Sequence, residues 1–215
     1  MLVETTGLPV RLAGVSCAHG RRTVVREVDL TLDPGQRVAL TGTNGSGKTT
    51  LLRALLGLHT TVRGVVEVGG EQARTSKDWA RRRRETAWIP QRQAAGRFPL
   101  LVDELLVSSG AADDARRAAQ DLGVGELRGR PLHTLSGGQL QRTYLARAIG
   151  CIAAGAGLLI ADEPTAALDF EGQAAAAELI TSLPVTVLVV THDRAVVERC
   201  ERVFEMAAGT LREIT

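Results

Sequence analysis

The sequence predicts an α/β fold built on a mainly parallel sheet, and three observations carry that expectation. Short β-branched and leucine-rich runs alternate with helical stretches along most of the chain. The run Leu158–Ala161 is wholly apolar and ends in two carboxylates, Asp162 and Glu163, as a buried strand does when it emerges at a sheet edge. The composition, 44% hydrophobic and 23% charged over 215 residues, supports one ordinary core and argues against disorder.

Taken in order, the expected strands are Val10 to Val15, Val28 to Leu32, Arg37 to Thr41, Val65 to Val68, Leu158 to Ala161, Val185 to Val190 and Val203 to Glu205. The expected helices are Lys48 to Leu56, Asp103 to Ser108, Asp113 to Asp121, Gly138 to Ile152, Gly172 to Ser182 and Arg194 to Cys200. From about Gln91 to Leu140 the strand signal vanishes and the text is helical, punctuated by Pro99 and Pro131. This reads as a helical insert (about 91–140) within one domain spanning 1–215, whose core is drawn from 1–90 and 141–215. No internal repeat, heptad run or low-complexity tail is present.

Several function classes are disfavoured at this stage. The longest uncharged apolar stretch, Ala148 to Ala161, has 14 residues and three glycines, short of the roughly 18 to 20 a spanning helix needs. Met1 to Val10 contains Glu4 and Pro9 and lacks a basic start followed by an apolar run, so no secretory signal is read and a cytoplasmic location is expected. The three cysteines, Cys17, Cys151 and Cys200, form no CxxC pair and read as reduced packing residues. Of the 26 basic residues only Lys48 and Lys77 are lysines, and the run Arg81 to Arg84 is expected on the solvated face of an amphipathic helix. A net charge of +2 and 3% aromatics give nucleic-acid binding little support.

The chemistry begins after the strand ending at Leu40. Gly42-Thr43-Asn44-Gly45-Ser46-Gly47-Lys48-Thr49 matches GxxxxGK[ST] in full and leads into the helical Leu51 to Leu56. The glycines let the backbone curl so that its N–H groups point at phosphate oxygens, and the helix adds its positive end. Lys48 would reach the β- and γ-phosphates, and the Thr49 hydroxyl would coordinate Mg²⁺. Asp162 is placed to complete the Mg²⁺ shell, and Glu163 to orient or deprotonate the attacking water. Between these elements Ser136-Gly137-Gly138-Gln139 opens a helix, a second anion-binding N-terminus in a small chain.

Leu135 to Gln139, standing between the P-loop and the strand ending Asp162-Glu163-Pro164, resembles the signature motif of ATP-binding cassette (ABC) ATPases, in the family's order and over nearly the whole chain. The resemblance implies a RecA-like P-loop NTPase core with an N-terminal antiparallel β element and an inserted helical subdomain. It implies ATP and Mg²⁺, and a nucleotide site that takes in Thr50 beside Gly42 to Thr49. Gln91, after Trp88-Ile89-Pro90, is similar to the glutamine-loop residue that touches Mg²⁺ and water. Ala166-Ala167-Leu168-Asp169 looks like the D-loop, and Val189 to Asp193 looks like the switch segment, where His192 would contact the γ-phosphate. His19 stands where the family usually has an aromatic residue that stacks on adenine; an imidazole offers less area. His59 and His133 read as solvated loop residues.

The resemblance further implies an active site shared between two chains. Ser136 to Gln139 would close over ATP held by Gly42 to Thr49 of a second subunit, most simply an identical one. The chain would sit at the cytoplasmic face of the plasma membrane beside a permease, with an extracytoplasmic solute-binding protein as a further partner and no nucleic acid. Phe98 to Val102, Phe170 to Gln173 and the short insert are similar to ATPases of zinc and manganese uptake. An exporter, another importer or a soluble ABC ATPase are the alternatives, although the coiled coils, extra domains or paired cassettes of the soluble class are not in this sequence. A P-loop kinase or GTPase would leave Leu135 to Gln139 unexplained and lacks an NKxD motif.

Overall fold

The alternating runs assemble into two sheets in a computed structural model that describes residues 7–91 and 100–214. In chain order the elements are β1 (Val10–His19), β2 (Arg22–Leu32), β3 (Arg37–Thr41), α1 (Lys48–Leu55), β4 (Val62–Val68), β5 (Glu71–Gln72), α2 (Ser76–Glu85) and β6 (Thr86–Ile89). There follow α3 (Val102–Val107), α4 (Ala112–Asp121), two single 3₁₀ turns, α5 (Gly137–Ala153), β7 (Leu158–Asp162), α6 (Phe170–Ser182), β8 (Thr186–Val190), α7 (Arg194–Val197), β9 (Arg202–Ala207) and β10 (Thr210–Glu213).

The six-stranded sheet has the order β10-β9-β3-β8-β7-β6. All neighbours in it are parallel except the edge hairpin β9–β10. A four-stranded antiparallel sheet, β2-β1-β4-β5, packs beside it. Because parallel strands are covered on both faces, alternate residues of one strand enter different cores. Val38, Leu40, Leu158, Ile160, Leu188 and Val190 face α1 and the antiparallel sheet. Ala39, Leu159, Ala161, Val187 and Val189 face α5 and α6. Leu51, Leu52 and Leu55 of α1 are fully buried. At about 1.5–3 kcal/mol for each leucine they hold that helix, and the loop before it, firmly on the sheet.

A third cluster, Val102, Leu105, Leu106, Ala115, Ala119, Val124 and Leu132, is helical and joins the rest through α5. Opposite faces of α5 serve the two cores: Leu145, Ala148 and Cys151 pack on the sheet, whereas Ala146 packs on α3 and α4.

Several elements differ from expectation. The strand expected at Val28 begins at Arg22, because Arg22, Thr23, Arg26 and Glu27 lie on its exposed side and mask the strand pattern. Strand β6 is only four residues long, and β10 is a largely exposed edge strand with little apolar signal. The Arg81 to Arg84 run does lie on a helix, but Arg82 is not solvated. It is 3% exposed, stacks on Trp79 at 5.2 Å and donates through Nη2 to the carbonyl of Glu71 at 2.6 Å. Helix α2 therefore turns one arginine inward to tie down β5 while its neighbours remain on the surface. Cys17 and Cys151 are buried and Cys200 half-buried, all as free thiols. Burial pushes their thiols up, that of Cys200 to about 11, which leaves them unreactive near neutrality.

Candidate active site

Strand β3 delivers its chain to the carboxyl edge of the large sheet, where Gly42 turns at φ +128°. A Cβ there would fall on the Met206 carbonyl oxygen, so the residue must be glycine. Gly47 precedes α1 at φ +113°, and no side chain caps that helix. Its first N–H groups are therefore left for a ligand. The ammonium of Lys48 donates to the carbonyls of Gly42 and Thr43, which suspends the charge over the loop. Ser46 Oγ is buried with no protein partner, an unmatched polar group inside the same loop.

Strand β7 brings the acidic pair to this edge. Asp162 is 2% exposed and accepts a 2.7 Å hydrogen bond from Thr49 Oγ1. Burial raises the Asp162 carboxyl above its ordinary range, against the pull of the Thr49 hydrogen bond, Lys48 and Arg53. Glu163 follows at φ +50°, a left-handed conformation that costs a non-glycine residue about 1–3 kcal/mol. Its N–H bonds to the Val190 carbonyl at 2.8 Å, which fixes the side chain beside β8. Burial raises the Glu163 carboxyl as well, opposed first by the His192 ring and then by a hydrogen bond from the His192 backbone. His192 Nε2 lies 3.6 Å from Glu163 Oε1. Lys48 is lowered by burial, offset by the charges of Glu163 and Asp162.

These groups line one cavity of 460 Å³: Asn44, Gly45, Ser46, Gly47, Lys48, Thr49, Thr50, Gln91, Asp162 and Glu163, with Val24 at its rim. Val24 was outside every expected strand; the missed β2 start concealed it. A wider groove of 820 Å³ between β2 and β10 contains no part of the phosphate loop or the acidic pair. The donor set fits the expected ligands: curled backbone amides and a lysine suit phosphates, and a hydroxyl beside a carboxylate suits a hard cation such as Mg²⁺.

The remaining expected residues lie elsewhere. Ser136 and Gln139 are locked in a reciprocal cap at the start of α5, Gln139 N–H donating to Ser136 Oγ at 3.2 Å and Ser136 N–H to Gln139 Oε1 at 3.0 Å. Gly137 and Gly138 lie against Ala167, so this segment and the turn carrying Asp169 form one surface, apart from the cavity. Asp169 caps α6 by accepting from Gly172 N–H at 3.0 Å, with its side chain 74% exposed. His19 is exposed and meets the His59 ring edge-on. His59, expected to be solvated, is half-buried and its Nε2 lies 3.0 Å from the Ala18 carbonyl oxygen. His133 is exposed, and Phe98 and Pro99 lie outside the described residues. Among the described residues no helix is long and apolar enough to cross a membrane.

A parallel sheet whose edge joins a glycine-rich loop, an uncapped helix start and two carboxylates defines a P-loop nucleoside triphosphatase. Comparison with known proteins takes this further. Residues 25–166 match the family described as ABC transporter. The chain is 37% identical over 197 residues to the zinc import ATP-binding protein ZnuC of Paramagnetospirillum magneticum, covering 87% of this chain and 69% of that one. It is 36% identical over 214 residues to the hemin import ATP-binding protein HmuV of Rhodopseudomonas palustris, covering 91% and 80%. A dimeric, post-hydrolysis structure of the ATP-binding cassette MJ0796 bound to ADP and Pi superposes with a TM-score of 0.79 at 25% identity, covering 96% and 98%. The chain belongs to the ABC transporter family and is an ATP-binding cassette ATPase.

Proposed function

We propose that this chain powers import through a separate membrane permease, with a metal ion, zinc or manganese, as cargo. The observation that carries the ATP-hydrolysing part of this reading is the convergence of Lys48, Thr49, Asp162, Glu163 and Gln91 on one cavity. Backbone amides of Gly45 to Lys48 bind the β-phosphate of ATP, and the Lys48 ammonium turns from its own loop carbonyls to the γ-phosphate. Thr49, Asp162 and Gln91 would hold Mg²⁺, which when bound neutralises charge on the transferring phosphoryl group. Glu163 takes the proton from the in-line water. Burial raises its basicity, and the hydrogen bond from the His192 backbone holds its carboxylate in place. Import is supported by the zinc and hemin relatives, both of which are import ATP-binding proteins. The hemin relative favours a second reading in which the cargo is a metal chelate.

Ser136 to Gln139 do not line the cavity of their own chain, which supports a head-to-tail pair of chains with ATP between them. The pair sits at the cytoplasmic face of the membrane, and an extracytoplasmic solute-binding protein hands cargo to the permease. Affinity isolation of tagged Glu163→Gln protein from native membranes with ATP present tests this reading. Recovery of a polytopic permease supports it and names the cargo class through that partner; recovery of soluble partners alone overturns it.

A further inference from the structure

We propose that His59 is a positioning residue for the nucleobase, holding His19 through the end of β1; this rests on the reading that His19 stacks on the base. Three contacts converge on this short segment. His59 Nε2 lies 3.0 Å from the Ala18 carbonyl oxygen, so the tautomer that fits carries its proton on Nε2 and donates it. Ala18 N–H in turn donates to the Thr61 carbonyl at 3.1 Å. Thus both backbone groups of the residue before His19 are held by the connection between α1 and β4. The imidazoles of His19 and His59 stand 4.8 Å apart at 85°, an edge-to-face contact in the favoured range for aromatic pairs.

The sheet explains why this matters to the cavity. His19 pairs directly with Arg22 across the β1–β2 hairpin. Two residues further along β2 stands Val24, which lines the nucleotide cavity at the bulge where the β1–β2 register shifts. His19 therefore stands at the end of the hairpin whose second strand reaches the cavity through Val24, where the chain turns through Gly20 at φ +59°. A single imidazole at a hairpin end is a small, mobile platform. With its backbone held at Ala18 and its ring abutted by His59, it is held in one orientation, and the His59 ring adds area behind it.

The test separates base binding from phosphate binding. Calorimetry with the full chain compares Mg·ATP with Mg·tripolyphosphate, which has phosphates and no base. His59→Ala is expected to weaken ATP about fivefold, the size of one aromatic contact or hydrogen bond, and to leave tripolyphosphate unchanged. His59→Phe, which keeps a ring without the donor, and His59→Gln, which keeps a donor without the ring, should each recover part of the loss. Because His59 acts through His19, the double variant His19→Ala/His59→Ala should bind ATP no more weakly than His19→Ala alone. Equal weakening of both ligands by His59→Ala means a general disturbance of α1 and overturns the inference. Unchanged ATP affinity in His59→Ala, with His19→Ala weakened, overturns it while leaving the base contact standing. Unchanged ATP affinity in His19→Ala overturns the base contact and the inference together.

Discussion

At the scale of single residues, two adjacent carboxylates at one strand end stand in different surroundings, Asp162 hydrogen-bonded to Thr49 and Glu163 beside His192. Glu163 faces the cavity with a raised carboxyl, so Glu163→Gln should bind ATP as before while turnover falls at least about 10²-fold, the usual cost of losing a positioned base. Steady-state phosphate release alongside nucleotide-binding titration checks this; near wild-type release would remove Glu163 from the mechanism. Asp162 carries a folding penalty instead. Its folded carboxyl sits above the unfolded value because burial disfavours the charge. The folded state thus keeps the proton longer, and stability falls as pH rises through the window between the ordinary and the raised value. Asp162→Asn keeps an acceptor for Thr49 and removes the penalty. Urea unfolding of nucleotide-free protein from about pH 4 to about pH 8 should show the variant gaining on the wild type as pH rises. The meeting of these residues at one sheet edge was legible in the sequence because spacing alone identifies the loop and the strand end. His59 was not legible, since its partner is a backbone carbonyl 41 residues away.

At the scale of elements, α5 is the piece most tightly constrained, because it must pack on both sides. Gly150 of α5 crosses α4 and the turn after α3 so closely that a Cβ there would press on the Ala115 methyl and on Ser109. Gly150→Val is therefore expected to overpack this crossing and cost about 1–3 kcal/mol, read as a lowered midpoint in thermal unfolding. An unchanged midpoint would mean the helices separate freely there. The sequence showed α5 well, since its apolar positions recur on a helical period. It showed α2 poorly: Arg82 is charged, yet its stem and guanidinium fill the space between Trp79 and β5. Binary patterning counts such a residue as surface. The short strands β6 and β10 escaped for a related reason, because an edge strand or a four-residue strand draws its identity from its neighbours' ladders.

At the scale of the whole molecule, the long-range order of the large sheet follows from the motifs more than from any local propensity. The loop after β3 and the carboxylates after β7 must meet, and they do so with only β8 between their strands. The antiparallel sheet was harder to foresee, because half of β2 is polar and its pairing with β1 is interrupted by bulges. If two copies close head to tail around ATP, Glu163→Gln protein should shift from one chain to two on addition of Mg·ATP, measured by light scattering during gel filtration. Persistence as single chains at saturating nucleotide would contradict the shared site.

The reciprocal cap at the start of α5 has a further consequence for that closure. Ser136 Oγ serves its own helix only as an acceptor, through the Gln139 N–H. Its proton stays available to point outward, so one hydroxyl can knit the local turn and greet a visiting triphosphate at the same moment. An aspartate at this position would preserve the helix start while presenting a negative charge and no proton to the approaching ATP. Ser136→Asp should therefore fold normally by circular dichroism yet fail to pair, leaving two well-made halves with nothing to join them.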